Sequence, residues 1–101
     1  MKDPTDLPPS HRPAVIQLVD GRERYVAHQR VTEQGWLWCV DWDGTCRKVP
    51  PQRIAHVETV ETQMKGDIGG REWKEIVEDD VLRVVSEGLR KRAMVNGGER
   101  A

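Results

Sequence analysis

The side chains in this chain best suited to recognition chemistry are its arginines. Eleven of the 16 basic residues are Arg, and a guanidinium presents a planar fork that matches a carboxylate or phosphate in two hydrogen bonds. Arg22 and Arg24 follow the turn signal Asp20-Gly21, Arg30 sits ten residues downstream of it, and Arg47 and Arg53 bracket Pro50-Pro51. Brought to one rim, they would make an anion-binding patch. Asp20, Glu23, Glu33 and Asp41 interleave with them, so composition alone favours an ordinary solvated surface. The net charge of −1 gives no bulk attraction to nucleic acid or to an anionic membrane, and any such binding requires a local patch.

Other chemistries find little support. No nucleophile elbow, phosphate loop, His-Glu-x-x-His or paired-carboxylate motif occurs, and the reading is non-enzymatic. His11, His28 and His56 lack metal-ligand spacing, and Cys39 and Cys46 form no Cys-x-x-Cys pair, so neither a metal nor any other cofactor is expected. In a reducing compartment both cysteines are free thiols. Residues 1–10 hold acids and prolines where a signal peptide needs an apolar core, and no run is long enough to span a bilayer. The expectation is a cytoplasmic protein without a membrane partner.

The elements that must position the arginines centre on residues 36–54, which hold three of the four tryptophans and both cysteines. Asp43-Gly44 separates two apolar-rich runs, and Asp-Gly is a preferred pair for a two-residue hairpin turn. A two-residue loop places Trp42 opposite Thr45, Val40 opposite Arg47 and Trp38 opposite Val49. Trp36, Trp38, Val40 and Trp42 then share the core face with Val49, with Trp42 the most exposed of them beside the turn. Leu37, Cys39 and Asp41 share the other face with Cys46 and Lys48, which makes the two cysteines diagonal neighbours.

Around this hairpin the chain divides into five parts. Residues 1–13, with four prolines, read as a flexible tail. Residues 14–62 read as a small β-barrel: strands at 14–19, 24–32, 36–42, 45–49 and 54–61, with a tight corner at Pro51–Arg53 because proline donates no ladder N–H. Five short antiparallel strands with a turn every 8–12 residues suggest an SH3/Sm-like barrel. Residues 63–70 read as a linker. Residues 71–94 read as an amphipathic helix whose apolar stripe includes Trp73, Ile76, Val77, Val81, Val84, Val85 and Leu89, with acids early and bases late. Asn96-Gly97-Gly98 is expected to stop it, leaving 95–101 as a second flexible tail. The fold class is mainly β with one C-terminal helix.

Gly35 before Trp36-Leu37-Trp38, and Arg47-Lys48-Val49 followed by Arg53-Ile54, resemble the motif of the WYL domain, an Sm-like barrel of bacterial transcription regulators and defence proteins. The strand from Arg24 to Val31 is similar to that family's second strand, so the likeness covers about half of the chain. Val49 stands at the family's Phe position and Leu37 at its Tyr position, and the residues ahead of the segment read as a short proline-rich tail rather than the family's winged helix. The resemblance implies a sensor of nucleotides or single-stranded nucleic acid, with Arg47 and Arg53 as the retained contact residues.

Two functions follow. The favoured one is a small regulatory or accessory protein of the kind carried by phages and mobile elements, acting by protein–protein contact. Its interface would be Trp42, Leu37 and the helix residues Trp73, Val77, Val81, Val84 and Leu89, used against a partner or a second copy. The alternative is a WYL-like barrel binding a nucleotide or single-stranded nucleic acid through Arg47, Arg53, Arg22, Arg24 and Arg30, and so modulating transcription or defence.

Overall fold

Glycine ends each hairpin loop, and those loops set the architecture. The computed structural model describes residues 2–99. Five strands form one antiparallel sheet in the order β4-β3-β2-β1-β5: β1 (Ala14–Leu18), β2 (Glu23–Val31), β3 (Leu37–Asp41), β4 (Cys46–Val49) and β5 (Ile54–Thr59). The Pro50-Pro51 corner is the expected 3₁₀ turn, Pro51–Arg53, and it carries the chain from β4 across to β5, which pairs with β1.

The loop at Asp43-Gly44 is one residue longer than expected, and this changes the parity of the whole central hairpin. The Asp41 N–H donates to the Thr45 carbonyl at 2.8 Å and the Gly44 N–H to the Asp41 carbonyl at 2.9 Å. The loop is therefore Trp42-Asp43-Gly44, with Gly44 at φ +91°, the left-handed conformation that closes a three-residue hairpin. The same pair of backbone hydrogen bonds closes the loops ending at Gly21, Gly35 and Gly70. In consequence Leu37 faces Val49, Trp38 faces Lys48, Cys39 faces Arg47 and Val40 faces Cys46. A shift of one residue exchanges the two faces of a strand. Leu37, Cys39 and Asp41 are buried on the inner face, while on the other face Val40 is buried, Trp38 half-buried and Trp36 41% exposed. Trp42, expected at the surface, is 7% exposed. The cysteines lie on opposite faces, Cys39 buried and Cys46 exposed, both as free thiols.

Two apolar clusters cover the two faces. The inner one packs Ala14, Ile16, Val26, Leu37 and Cys39, with Leu18, Val49, Ile54 and Val57 against them. Side chains of both edge strands thus reach one core, so the sheet is curled. It stays open: β4 and β5 are its edges and do not pair. The outer cluster packs Val15, Ala27 and Trp42 under Leu7, Val60, Ile76 and Val85, with Val81, Leu82 and Leu89 beside them.

Four of the five expected segments fold differently. Residues 63–70 are no linker: β6 (Thr62–Gly66) pairs with β7 (Glu72–Ile76) in a second, two-stranded sheet. The helix α1 therefore does not begin at residue 71. It runs Asp79–Glu99, with Asp79 and Asp80 in its first turn, where acids complement the helix dipole. It also passes through Gly97-Gly98, so 95–99 are helical where a tail was expected. Trp73 and Ile76 mimic a helical stripe because they are three positions apart, yet Gly69-Gly70 supplies a turn that lets the chain fold back as a strand. Residues 2–13 are no free tail either. Leu7 is 1% exposed, exchanges backbone hydrogen bonds with Lys74 at 2.9 and 2.8 Å, and the Pro4 carbonyl accepts the Ile76 N–H. This arm is stitched to the outer edge of β7.

Candidate functional site

The curled sheet leaves a cleft at the end of its inner face, and four of the five candidate arginines meet there. Arg24 comes from β2, Arg47 from β4, Arg22 from the β1–β2 loop and Arg53 from the 3₁₀ corner, and Lys48 joins them. Leu18, Val19, Val49 and Pro50 supply the apolar part of the lining, and the volume is about 280 Å³. Asp20 is the one acid that lines the cleft. Sequence spacing could suggest this convergence but not establish it, because it depends on β4 and β5 curling towards one another at the proline corner.

Asp41 organises one wall. It is buried, at 7% exposure, and its Oδ2 lies 2.8 Å from Arg47 Nε and 3.7 Å from Arg24 Nη1. A carboxylate this buried is retained only when paired, and here it locks two guanidinium groups from flanking strands in place. Asp41 Oδ1 is buried without a hydrogen-bond partner among the described residues, so the carboxylate retains acceptor capacity. The longer loop makes this wall. With the two-residue loop, Arg47 would face Val40 and lie on the opposite face of the sheet from Asp41.

The other cations differ in how committed they are. Arg22 folds back on its own loop, with Nε and Nη2 at 2.8 and 2.7 Å from Asp20 Oδ2. The hydrogen bond from Arg22 holds the Asp20 carboxyl below its ordinary pKa. Arg53 is fixed through its backbone: its carbonyl accepts the Val19 N–H at 3.0 Å. Among the described residues neither Arg53 nor Lys48 side chain forms an ion pair. Cations at the mouth can therefore turn towards a ligand, while those at the back are pre-set.

Arg30 does not belong to this cleft. It lies on the outer face, its guanidinium 5.1 Å from the Trp38 ring centroid, a cation–π distance.

The residues proposed as a partner interface are largely consumed by folding. Leu37 lies in the inner cluster and Trp42 in the outer one, with Val81 and Leu89 packed against the latter, so none of these four is an open contact residue. Trp73 is half-buried in β7 under the Arg71 guanidinium, 5.0 Å from its ring centroid. Val77 and Val84 are each 40% exposed and are what remains of the stripe at the surface.

A second hollow of about 300 Å³ lies behind the Arg24–Asp41–Arg47 wall, between Tyr25, Trp42 and the helix at Val84, Gly88 and Leu89. Trp42 Nε1 is buried there with no partner among the described residues. Burial raises the Cys39 thiol above its ordinary pKa, with Asp41 adding to it, so that thiol is a packing group rather than a nucleophile. No cluster of three or more His, Cys, Asp or Glu side chains is placed to hold a metal ion among the described residues. None of its helices there is long and apolar enough to cross a membrane.

Known proteins add nothing to this geometry: no family model, no curated protein and no solved structure matches the chain.

Proposed function

We propose that the protein is a non-enzymatic binding module that recognises a phosphate-bearing ligand, a nucleotide or a short single-stranded nucleic acid, in the cleft at the open end of its curled sheet. One observation carries the reading. Five cations and one acid line a single cleft in a chain whose net charge is −1, and Arg53 and Lys48 among them are not spent on the Asp20 and Asp41 pairs that hold Arg22, Arg24 and Arg47. The curled sheet with its proline corner is read here as an open relative of the SH3/Sm-like barrel, and Arg47 and Arg53 as the pair that the WYL-like motif marks. Among the described residues no aromatic side chain lines this cleft, so affinity comes from phosphate pairing and apolar contact with Leu18, Val49 and Pro50 rather than from base stacking.

The test is a titration of fluorescein-labelled oligothymidylate and of a labelled mononucleotide between 50 and 300 mM salt. Neutralising three or four phosphates gives a log–log salt slope of about −2 to −3 for a single strand. Lys48→Glu/Arg53→Glu, which leaves the Arg47–Asp41 pair intact, should cut affinity by at least about 30-fold. Affinity indifferent to salt, or unchanged in that variant, would sink the reading.

A protein partner is the second reading, carried by the exposed Val77, just ahead of α1, and Val84 on α1. Light scattering with Val77→Asp/Val84→Asp separates the two: loss of an oligomer with ligand binding intact favours it.

A further inference from the structure

Where the N-terminal arm crosses the outer face of the sheet, four cations surround two imidazoles. The His11 and His28 rings stack with centroids 4.9 Å apart, and the His28 edge meets Trp38 at 5.9 Å. His28 Nδ1 accepts the Arg12 N–H at 2.9 Å, so its neutral form carries the proton on Nε2. Both ring nitrogens of His11 are buried without a partner among the described residues. Lys2 and Arg12 approach from the arm, Arg30 from β2 and Lys74 from β7, and each bears electrostatically on His28. Lys74 Nζ is spent on the His11 carbonyl at 3.0 Å. Among the described residues, no carboxylate pairs with any of these four cations, although the chain holds 17 acids to 16 bases.

We propose that the hollow beside this stack, about 530 Å³ and lined by Ser10, Arg12, His28 and Arg30, is a second anion site, taking a soluble oligophosphate group in a manner coupled to pH. It is independent of the cleft at the sheet's open end. The physical argument is a sum of charges. Without an anion, both histidines are held neutral: burial is the largest cause, and the surrounding cations add to it. An oligophosphate between Arg12 and Arg30 reverses the field at both rings, supplies acceptors to the Ser10 hydroxyl and His28 Nε2–H, and favours protonation. Trp38 braces the Arg30 guanidinium from behind. Binding therefore takes up protons, and by linkage the affinity rises as pH falls.

Isothermal titration with inorganic tripolyphosphate at pH 7.5 and 6.0, at matched ionic strength, tests this. Affinity should be about fivefold tighter at pH 6.0, below the ceiling of about tenfold per pH unit that a single proton sets. The Cε1–H resonances of His11 and His28 should move downfield on binding at pH 6.5. Arg30→Gln, at an exposed side chain, should weaken binding about tenfold, and His28→Gln should leave weaker binding with a flattened pH dependence. Lys48→Glu/Arg53→Glu should leave this site unchanged while it weakens binding in the cleft, so the two sites fail separately. No binding, equal affinity at the two pH values, unmoved imidazole resonances, or indifference to Arg30→Gln would each overturn the proposal.

Discussion

The two faces of the central sheet each carry a buried apolar cluster, yet the clusters are built in different ways. The inner cluster is made by the curled sheet alone, from neighbouring strands joined by three-residue loops. The outer cluster draws one or two residues from every other part of the chain: Leu7 from the arm, Ile76 from the second hairpin, Val85 from the helix. The inner face ends in a fixed charge triad and an open cleft; the outer face is closed by segments that arrive from far away in sequence. Local pairing thus supplies the recognition surface, and distant segments keep its back dry.

Four substitutions and a pH series can break or sharpen this contrast. Leu37→Ala should be the most damaging, at about 3–5 kcal/mol, because the inner cluster has no covering segment that can settle into the void. Chemical denaturation should show a lowered midpoint with cooperativity preserved. Leu7→Ala should cost less, about 2–3 kcal/mol, since the arm can relax. Its distinguishing mark is local: faster amide exchange at Leu7 and Lys74, with β2 and β3 amides unaffected. An equal loss of protection across both sheets would show that the two faces fold as one unit. Asp41→Asn removes the charge that Arg47 and Arg24 share and should cost about 1–3 kcal/mol. The same change frees both guanidinium groups, so phosphate affinity in the cleft should rise while stability falls. A fall in both would mean that the triad positions the arginines rather than occupying them. Gly44→Ala forces a Cβ into the left-handed conformation at about 1–2 kcal/mol, with the hairpin parity retained.

The smallest effect is that of pH on the arm. Both His11 and His28 have folded pKa values below the ordinary 6.5. Between those lowered values and 6.5 the unfolded chain binds more protons than the native one, so stability rises with pH across that window. The contribution is fully present above pH 6.5 and is lost as pH falls below it. Thermal melts at pH 7.5 and 5.5 should show a drop that His11→Gln reduces, and exchange at Leu7 should quicken before that of the sheet. An identical drop in His11→Gln would remove the histidine stack from the account.

Much of the fold was legible because it rests on local chemistry. Strands at 14–18, 23–31, 37–41, 46–49 and 54–59 follow from β-branched and aromatic runs punctuated by glycine and proline. The convergence of Arg47 with Arg53 was foreshadowed by the proline corner between them. The helix from Val81 to Leu89 was visible in its apolar spacing, but its start was misplaced. Trp73 and Ile76, three positions apart, fit a helical stripe, and no local signal reveals the partner strand β6 that puts them on opposite faces of β7.

By itself, then, the sequence determined where the chain turns, that it is mainly β with one C-terminal helix, and which arginines flank the turns. Only the tertiary structure decided which side chains face inwards. An Asp-Gly pair closes either a two- or a three-residue loop, and with a side-chain period of two that single residue decides whether Arg47 faces Val40 or shares the face of Cys39 and Asp41. Only the tertiary structure, too, brought Leu7 beside Lys74 and drew the arm's cations around His11 and His28. Those contacts span more than sixty residues or depend on such a span, and they are stabilised by burial that no local window of sequence contains.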